Sequence, residues 1–592
     1  MAYICIYIVE NNDEILEHLK NNHQDLIKKQ CIANEKLGSD IIYMQEHTKS
    51  QRNKSNEGNL EQIKDIWFEF NANYNKTLLS NNEYDFWITL RFNSYLLLKT
   101  FNRIVEFCSG LDKEVEEYIF VNTNKKLRVI LEFHFPNSKF INTPKKPDPK
   151  IDKAKEKQAS YSKSWKIIKK GIIWNSMKQK KFSQTLIISN EIDIVTTLTS
   201  KGVRKEDKFM ISLLETLSKN SFARMYRKNI FAKNNYAKIS EIDIEEMDYY
   251  FEAILLKLAF KPKIYVKILK SYFYFRKISK TGEKTLLNRL IIANRNSYFS
   301  DLITYESFRY FLKRNKFKNL VLSDEMSPNT NNIVRAAKSL SINVIGIQHG
   351  LLNKNNIAYN FSNEELEKNN HFPDHLVVWG KQEDEFLSKN KALLKNIVKP
   401  LGNIVLDGLK YLPKEKKEKK FTVIFASQPQ PIHSLRMKSL TDFIEAIQNF
   451  NPEDVKVVIR LHPRELKDYS LYKKEIANLQ AYDFEIDNGK ELFSQLHKSD
   501  VLVTSYSTVA QDFMILKKPV VLQDYGKNDY TGLISKGVAF NAMDSGTLFK
   551  LLSDIKSKKR GINKSAYEVA LEEQFAYLDF NVAQRIKALL KT

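Results

Sequence analysis

Two short stretches in the last third of the chain carry side chains able to do chemistry together. The first is VKVVIRLHPRE, residues 455–465, which places His462 and Pro463 between Arg460 and Arg464. The second is SDVLVTSYSTVAQDFMILKKPVVLQD, residues 499–524, with hydroxyls at Ser505, Ser507 and Thr508. An imidazole and two guanidinium groups can neutralise phosphate charge. Serine and threonine hydroxyls at a helix start add hydrogen bonds where unpaired backbone N–H groups already favour an anion. The combination points to a site for a phosphorylated ligand.

Upstream, NLVLSDEMSPN brings adjacent carboxylates, Asp324 and Glu325, and NVIGIQHG brings His349. Two neighbouring carboxyl groups repel each other's charge, so one of them, if shielded, keeps its proton to higher pH and suits general acid–base work. His349 is an alternative base.

These residues need a frame. Val455–Ile459 and Val501–Val503 are short β-branched runs that stop at polar residues, as buried parallel strands do at their carboxyl edge. Ser507 or Thr508 makes an N-cap for an amphipathic helix from Val509 to Leu516; Lys517, Lys518 and Pro519 end it, and Val520–Leu522 starts the next strand. FTVIFASQ gives another strand, with Ser427 and Gln428 at its edge. In the same way a strand ends at Ser323, Asp324 and Glu325, a helix starts near Asn331, and further strands are NVIGIQHG and HLVVWG. This βαβ rhythm predicts parallel sheets with helices on both faces. Ligands of such sheets sit beyond the carboxyl ends of the strands.

The RLHP and SDVLVTSYST segments resemble the HP motif and the Ser-Ser/Thr motif of bacterial polysialyltransferases and related capsule glycosyltransferases. STVAQDFMILKKPVV is also similar to the wider GT-B pattern of Ser-Thr, an acidic residue and Lys-Pro-Val. The resemblance spans about residues 319–545. It implies an α/β GT-B fold: two Rossmann-like, doubly wound parallel-sheet domains facing a cleft, here with a basic helical insertion in the N-terminal half. The implied domains are 1–400 for the acceptor and 401–592 for the nucleotide sugar. The insertion covers about 143–182 and could run to 300.

The resemblance also implies roles. The donor side would be Arg460, Pro463, Arg464, Ser505, Ser507, Thr508, Gln511, Asp512, Ser427 and Gln428, with Asp512 or Gln511 on the ribose. His462 would neutralise the leaving phosphate or give it a proton. The base would come from the opposite domain, Asp324 or Glu325, with His349 as rival. The polysialyltransferase group carries an acidic pair followed by glycine; this chain has Asp324-Glu325-Met326, a departure that weighs against a sialic acid donor. QHG also occurs in capsule Kdo transferases, and HG in polyol-phosphate polymerases of the same fold. The expected activity is metal-independent glycosyl transfer for capsule or lipopolysaccharide, with a CMP-linked acidic sugar as donor. Alternatives are a CDP-polyol phosphotransferase, a sugar-nucleotide epimerase of the same fold, and a basic scaffold that binds membrane or nucleic acid.

Composition bounds the rest. The chain has 592 residues, enough for two or three domains, and its 43% hydrophobic content supports packed cores. There are 94 Lys+Arg against 70 Asp+Glu, a net charge of +24, which favours phosphate-rich partners. A Lys-, Asn- and Ile-rich composition is also what an AT-rich genome encodes. Three cysteines without close pairing indicate neither a disulfide framework nor a zinc site and suit a reducing cytosol. MAYICIYIVENNDE reads as a first strand, not a signal peptide. No Asp-x-Asp motif stands in a suitable context, and the GxGxxG and GxxxxGK[ST] patterns are missing. No metal or cofactor is expected. The expected partners are a nucleotide sugar, a glycan or lipid-linked acceptor and an anionic inner-membrane surface, not nucleic acid, in a cytoplasmic or peripheral setting.

In chain order, strands are expected at Ala2–Val9, Asp40–Met44, Tyr118–Val121, Arg128–Phe133 and Thr185–Ser189. Helices are expected at Asn82–Val105, Glu206–Lys219, Ile242–Leu258 and Lys564–Lys591. Two basic, aromatic-rich stretches, 143–182 and Lys261–Lys280, each read as a solvated helix docked on its own domain or as a surface for anionic membrane; single-stranded nucleic acid is a third reading for the latter.

Overall fold

The computed structural model describes residues 3–8, 31–33 and 42–43; 52–142 except 75–76, 78, 81–84 and 110–114; 184–227 except 191–192 and 219–220; 249–250; 262–281; and 285–591 except 351, 353–355, 369–370, 389–391, 413–419, 429–432, 463–468, 488–489, 526–528 and 530. The stretch 143–182, Pro463 and Arg464 lie outside the described residues.

Three parallel sheets follow one another. The first holds β1 (Tyr3–Ile8), β2 (Cys31–Ala33), β3 (Ile42–Tyr43), β4 (Val115–Val121) and β5 (Lys139–Ile141), in the order β3-β2-β1-β4-β5. Next come β6 (Thr185–Asn190), an antiparallel hairpin of β7 (Ile194–Thr199) and β8 (Gly202–Asp207), then β9 (Phe222–Arg227), β10 (Tyr249–Tyr250), β11 (Asn319–Ser323), β12 (Asn343–Ile347), β13 (His375–Val378) and β14 (Val398–Pro400). The hairpin apart, these form a seven-stranded sheet, β10-β9-β6-β11-β12-β13-β14. The last sheet holds β15 (Phe421–Ala426), β16 (Val455–Arg460), β17 (Asp483–Asp487), β18 (Val501–Thr504), β19 (Val520–Leu522) and β20 (Ala539–Asn541), in the order β17-β16-β15-β18-β19-β20.

The order obeys one rule in both larger sheets. The founding strand lies inside, the next two extend to one side, and the chain then crosses to the other. The direction reverses between β6 and β11, and again between β15 and β18. Crevices at such reversals, at the carboxyl ends of the strands, are where doubly wound folds bind ligands. Registers such as Ser323 with Ile347 and Ala426 with Thr504 bring those ends level. The α/β class and the two doubly wound parallel sheets hold, and residues 3–142 add a sheet that packs through one continuous core against β6, β11 and β12.

Some expected elements differ. Arg128–Phe133 is helical, within Lys125–His134: Asn124 Oδ1 accepts from the N–H of Lys126 (3.1 Å) and Leu127 (2.9 Å), and Leu127, Ile130 and Leu131 bury one helical face. The apolar run alone does not separate strand from helix; the cap does. Glu206–Lys219 is not one helix. Its start belongs to β8, paired with β7 across a turn that uses Gly202 at φ +90°, and only Ile211–Thr216 is helical. Within Ile242–Leu258 the described residues are Tyr249–Tyr250, which are a strand. The helix expected from Asn331 starts at Pro328.

The expected C-terminal helix is two, Lys564–Gln574 and Val582–Lys587, and the second closes the middle sheet. Val582, Ala583 and Ile586 pack with Ile187, Val321 and Ile345. Buried Asp407 accepts from the N–H of Val582 (3.0 Å) and Ala583 (2.8 Å), holding the helix start. Among the described residues, no helix is long and apolar enough to cross a membrane.

Candidate functional site

At the reversal of the last sheet, Ser427 follows β15 and is buried; its hydroxyl accepts the backbone N–H of His462 at 2.9 Å. That bond fixes the loop after β16 and holds the half-buried His462 beside the end of β15. Gln428 is next in the same loop and is half-buried. Across the reversal, Ser505 and Ser507 follow β18, both buried, with exposed Thr508 after them. Ser507 Oγ accepts the N–H of Val509 (3.2 Å), while Thr508 makes no side-chain cap. The helix behind it, Val509–Ile515, has only seven residues, so its dipole is small, and the groups able to meet an anion here are the hydroxyls and backbone N–H groups. Ser505 Oγ lies 3.4 Å from Ser439 Oγ, and Ser439 in turn donates to Gln523.

Arg460 takes a different place from the one expected. It pairs with buried Asp487 on β17 and donates to the carbonyl of Lys490, so its guanidinium is held toward the sheet edge. Gln511 is likewise held by a partner within the protein. It is buried, and its Nε2 donates to Gln574 Oε1 at 3.1 Å. Asp512 is a crowded, half-buried carboxyl pushed up to about 6 by desolvation, against the charges of Lys208 and Arg460.

At the reversal of the middle sheet, β11 ends and Asp324 takes a left-handed turn, φ 56°. The turn sends the two carboxylates opposite ways. Asp324 points out beside His349, with Oδ1 3.7 Å from Nε2 and both side chains over a third exposed. Glu325 is fully buried: its Oε1 accepts from the Tyr359 hydroxyl at 2.6 Å, and burial raises its pKa. It fills the space over Gly346, where a Cβ would stand 2.9 Å from Glu325 Cγ. Glu325 therefore lies inside the sheet edge, and the two side chains left at the surface there are Asp324 and His349.

Asp193, just beyond β6, is the residue that sequence reading missed. Its Oδ2 accepts from Asn190 Nδ2 (3.2 Å) and Ser323 Oγ (3.3 Å), which bridge the reversal between β6 and β11. Burial raises its pKa, Asp324 adds to the rise, and Lys208 and His349 oppose it. Asp207 behind it is pushed up to about 7 by burial and by the charge of Asp193. A strand-order argument would have found Asp193; periodicity alone does not show which strand neighbours β11. Lys208 acts on both Asp193 and Asp512, so the two crevices are close enough to share one cation's field.

A buried polar chain joins the two halves behind this site. Gln511 donates to Gln574, Gln574 Nε2 donates to Glu383 Oε1 (3.2 Å), and Gln348 Nε2 donates to the same oxygen (3.4 Å) and to the carbonyl of Gly350 (2.9 Å). Gln348 precedes His349 directly, so the chain runs from the Val509–Ile515 helix to the loop holding the imidazole. Among the described residues, no group of three or more His, Cys, Asp or Glu could hold a metal ion.

Residues 421–591 match the family model of CDP-glycerol:poly(glycerophosphate) glycerophosphotransferase. A search of curated proteins finds no match. Similar solved structures include the UDP-GlcNAc 2-epimerase of Neisseria meningitidis bound to UDP-GlcNAc: 12% identity, 68% of this chain and 98% of that one, TM-score 0.45. The UDP-GlcNAc 2-epimerase of Methanocaldococcus jannaschii gives 14%, 68%, 99% and 0.43. The wall teichoic acid polymerase TagF gives 13%, 75%, 97% and 0.38. Superpositions this loose carry no donor or activity across.

Proposed function

We propose that this chain is a metal-independent GT-B transferase of surface-polymer synthesis that takes its group from a cytidine-nucleotide donor, first of all a CDP-activated polyol phosphate. The observation that carries the reading is the match of residues 421–591 to a glycerophosphotransferase family over the sheet whose reversal gathers Ser427, His462 and Ser505–Thr508. A second reading, transfer of a CMP-linked acidic sugar, keeps its support in the HP and Ser-x-Ser-Thr pair.

The steps follow from the side chains. The acceptor hydroxyl oxygen attacks the distal phosphorus of the donor, its proton passing to His349 Nδ1, with Asp324, which faces Nε2, orienting the imidazole and stabilising its charged form. The bond from that phosphorus to the bridging oxygen breaks, and the CMP phosphate leaves with the electron pair. His462, Ser507 and Thr508 receive the developing negative charge. For a CMP-sugar, the same groups receive CMP while the acceptor attacks the anomeric carbon. Asp512 holds the ribose in either case. The acceptor is a glycan or lipid-linked chain, at the inner face of the plasma membrane.

The test is thermal stabilisation by CMP, CDP, UMP, UDP and GDP at millimolar concentration, on wild type and His462→Ala. A ligand at about 100 times its dissociation constant adds roughly 2.7 kcal/mol. Stabilisation by CDP or CMP that the variant loses supports the reading; response to UDP or GDP alone, or to none, overturns the donor.

A further inference from the structure

The Pro262–Thr281 helix shows two unlike faces. Ile264, Ser271, Phe275 and Ile278 are buried against the domain, with Phe275 edge-on to Tyr298 at 5.1 Å and Ser271 Oγ 3.0 Å from the Tyr298 hydroxyl. Lys267 pairs with Glu306. The helix is thus fixed in place by one side. On the other, Tyr265, Val266, Leu269, Tyr272 and Phe273 are each 52–59% exposed. Their spacing, i, i+1, i+4, i+7 and i+8, is that of one helical face. Five large apolar side chains standing out together are a patch, not scattered surface residues.

Charge says what covers it. The helix contains no Asp or Glu, while exposed Lys263 and Lys270 flank the patch and exposed Arg276 and Lys280 continue it. A second copy of the chain would bring the same cations and its own net +24 against it. Nucleic acid would use the cations and could stack on Tyr272 or Phe273, but it needs a groove for its backbone. Protruding Val266 and Leu269 offer neither groove nor stacking face. An anionic bilayer satisfies all of them: apolar side chains enter the headgroup–acyl boundary, and lysine and arginine stay among the phosphates.

We propose that the exposed face of the Pro262–Thr281 helix docks the protein, helix axis in plane, on an anionic phospholipid bilayer. The proposal deepens the functional reading, in which the acceptor is held at a membrane, but it stands on a surface that the cleft does not use.

The test is co-sedimentation of the full chain with vesicles of equal parts phosphatidylglycerol and phosphatidylcholine, and with phosphatidylcholine alone. Wild type should bind the anionic vesicles, lose binding as salt rises, and bind neutral vesicles weakly. Val266→Glu/Leu269→Glu/Phe273→Glu should weaken anionic-vesicle binding by on the order of a hundredfold. Lys263→Gln/Lys270→Gln/Arg276→Gln/Lys280→Gln keeps the apolar face and gives an independent reading if the first variant fails to fold. It should bring anionic binding down to the neutral-vesicle level. No binding by wild type, or binding untouched by either variant, overturns the proposal. So does a face-dependent affinity for a single-stranded RNA oligonucleotide without vesicle binding. Nucleotide stabilisation on the same samples separates the two claims: CDP response without vesicle binding defeats this one alone, and vesicle binding without nucleotide response defeats the donor reading alone.

Discussion

Asp324 Oδ1 lies 3.7 Å from His349 Nε2: the two residues follow the level ends of neighbouring strands, and a left-handed turn at Asp324 aims its carboxylate outward. The same turn buries Glu325. Asp324→Asn should therefore lower kcat by about ten- to a hundredfold, and His349→Ala by roughly 10²–10⁴-fold, with the donor KM nearly unchanged. Glu325→Gln keeps the acceptor oxygen for Tyr359 and should hold kcat within a few fold. Steady-state kinetics with the donor found by nucleotide stabilisation decides this. A dead but folded Glu325→Gln beside an active Asp324→Asn would return the base to Glu325.

Asp301 lies buried on the Arg295–Asn315 helix, and burial pushes its pKa up to about 7, opposed by Thr89, Arg335, Asn332 and Lys126. A carboxyl whose folded pKa exceeds its unfolded value favours the folded state most when protonated. Its contribution is full below about pH 4 and is lost as pH rises toward 7. Between pH 5 and 8 the wild type should lose up to about 3 kcal/mol from this group, and Asp301→Asn should flatten that part of the curve. Urea melts at several pH values check it; a variant with the same slope as wild type would rule out Asp301 as the cause.

Gly380 meets the end of the Lys564–Gln574 helix, where a Cβ would come 2.5 Å from the Gln574 carbonyl oxygen and 2.8 Å from Phe575 N. Both are backbone atoms and cannot swing aside. Gly380→Ala should cost about 1–3 kcal/mol and loosen the C-terminal helices from the middle sheet. Limited proteolysis near residue 575 and a lowered Tm would show it. Unchanged protection there would mean that the contact yields without cost.

Much of this was legible in residue order, for identifiable reasons. The strands after 319 announce themselves because both faces are covered, so each is an unbroken apolar run ending in the polar residues of the site. Ser427, His462, Ser507, Asp324 and His349 are legible in that way as residues at strand ends. Asp193 was not, because its value depends on β6 lying beside β11, a pairing between segments far apart in the chain. Glu325 was misplaced because nothing in Asp-Glu-Met signals a positive φ. Gln511 and Arg460 have side-chain types that suit a donor, but long-range partners, Gln574 and Asp487, claim them. Arg128–Phe133 reads as a strand from its apolar run, but the Asn124 cap makes Lys125–His134 a helix.

The Val582–Lys587 helix covers Ile187, Val321 and Ile345 and is pinned by Asp407, so the middle sheet is finished by residues that come after the whole of the last sheet in the chain. On the ribosome, that sheet must wait with an uncovered apolar side until the whole of the last sheet has been synthesised. Maturation of the middle sheet is therefore tied to completion of the last one, and a nascent chain stalled between them would be a client for chaperones.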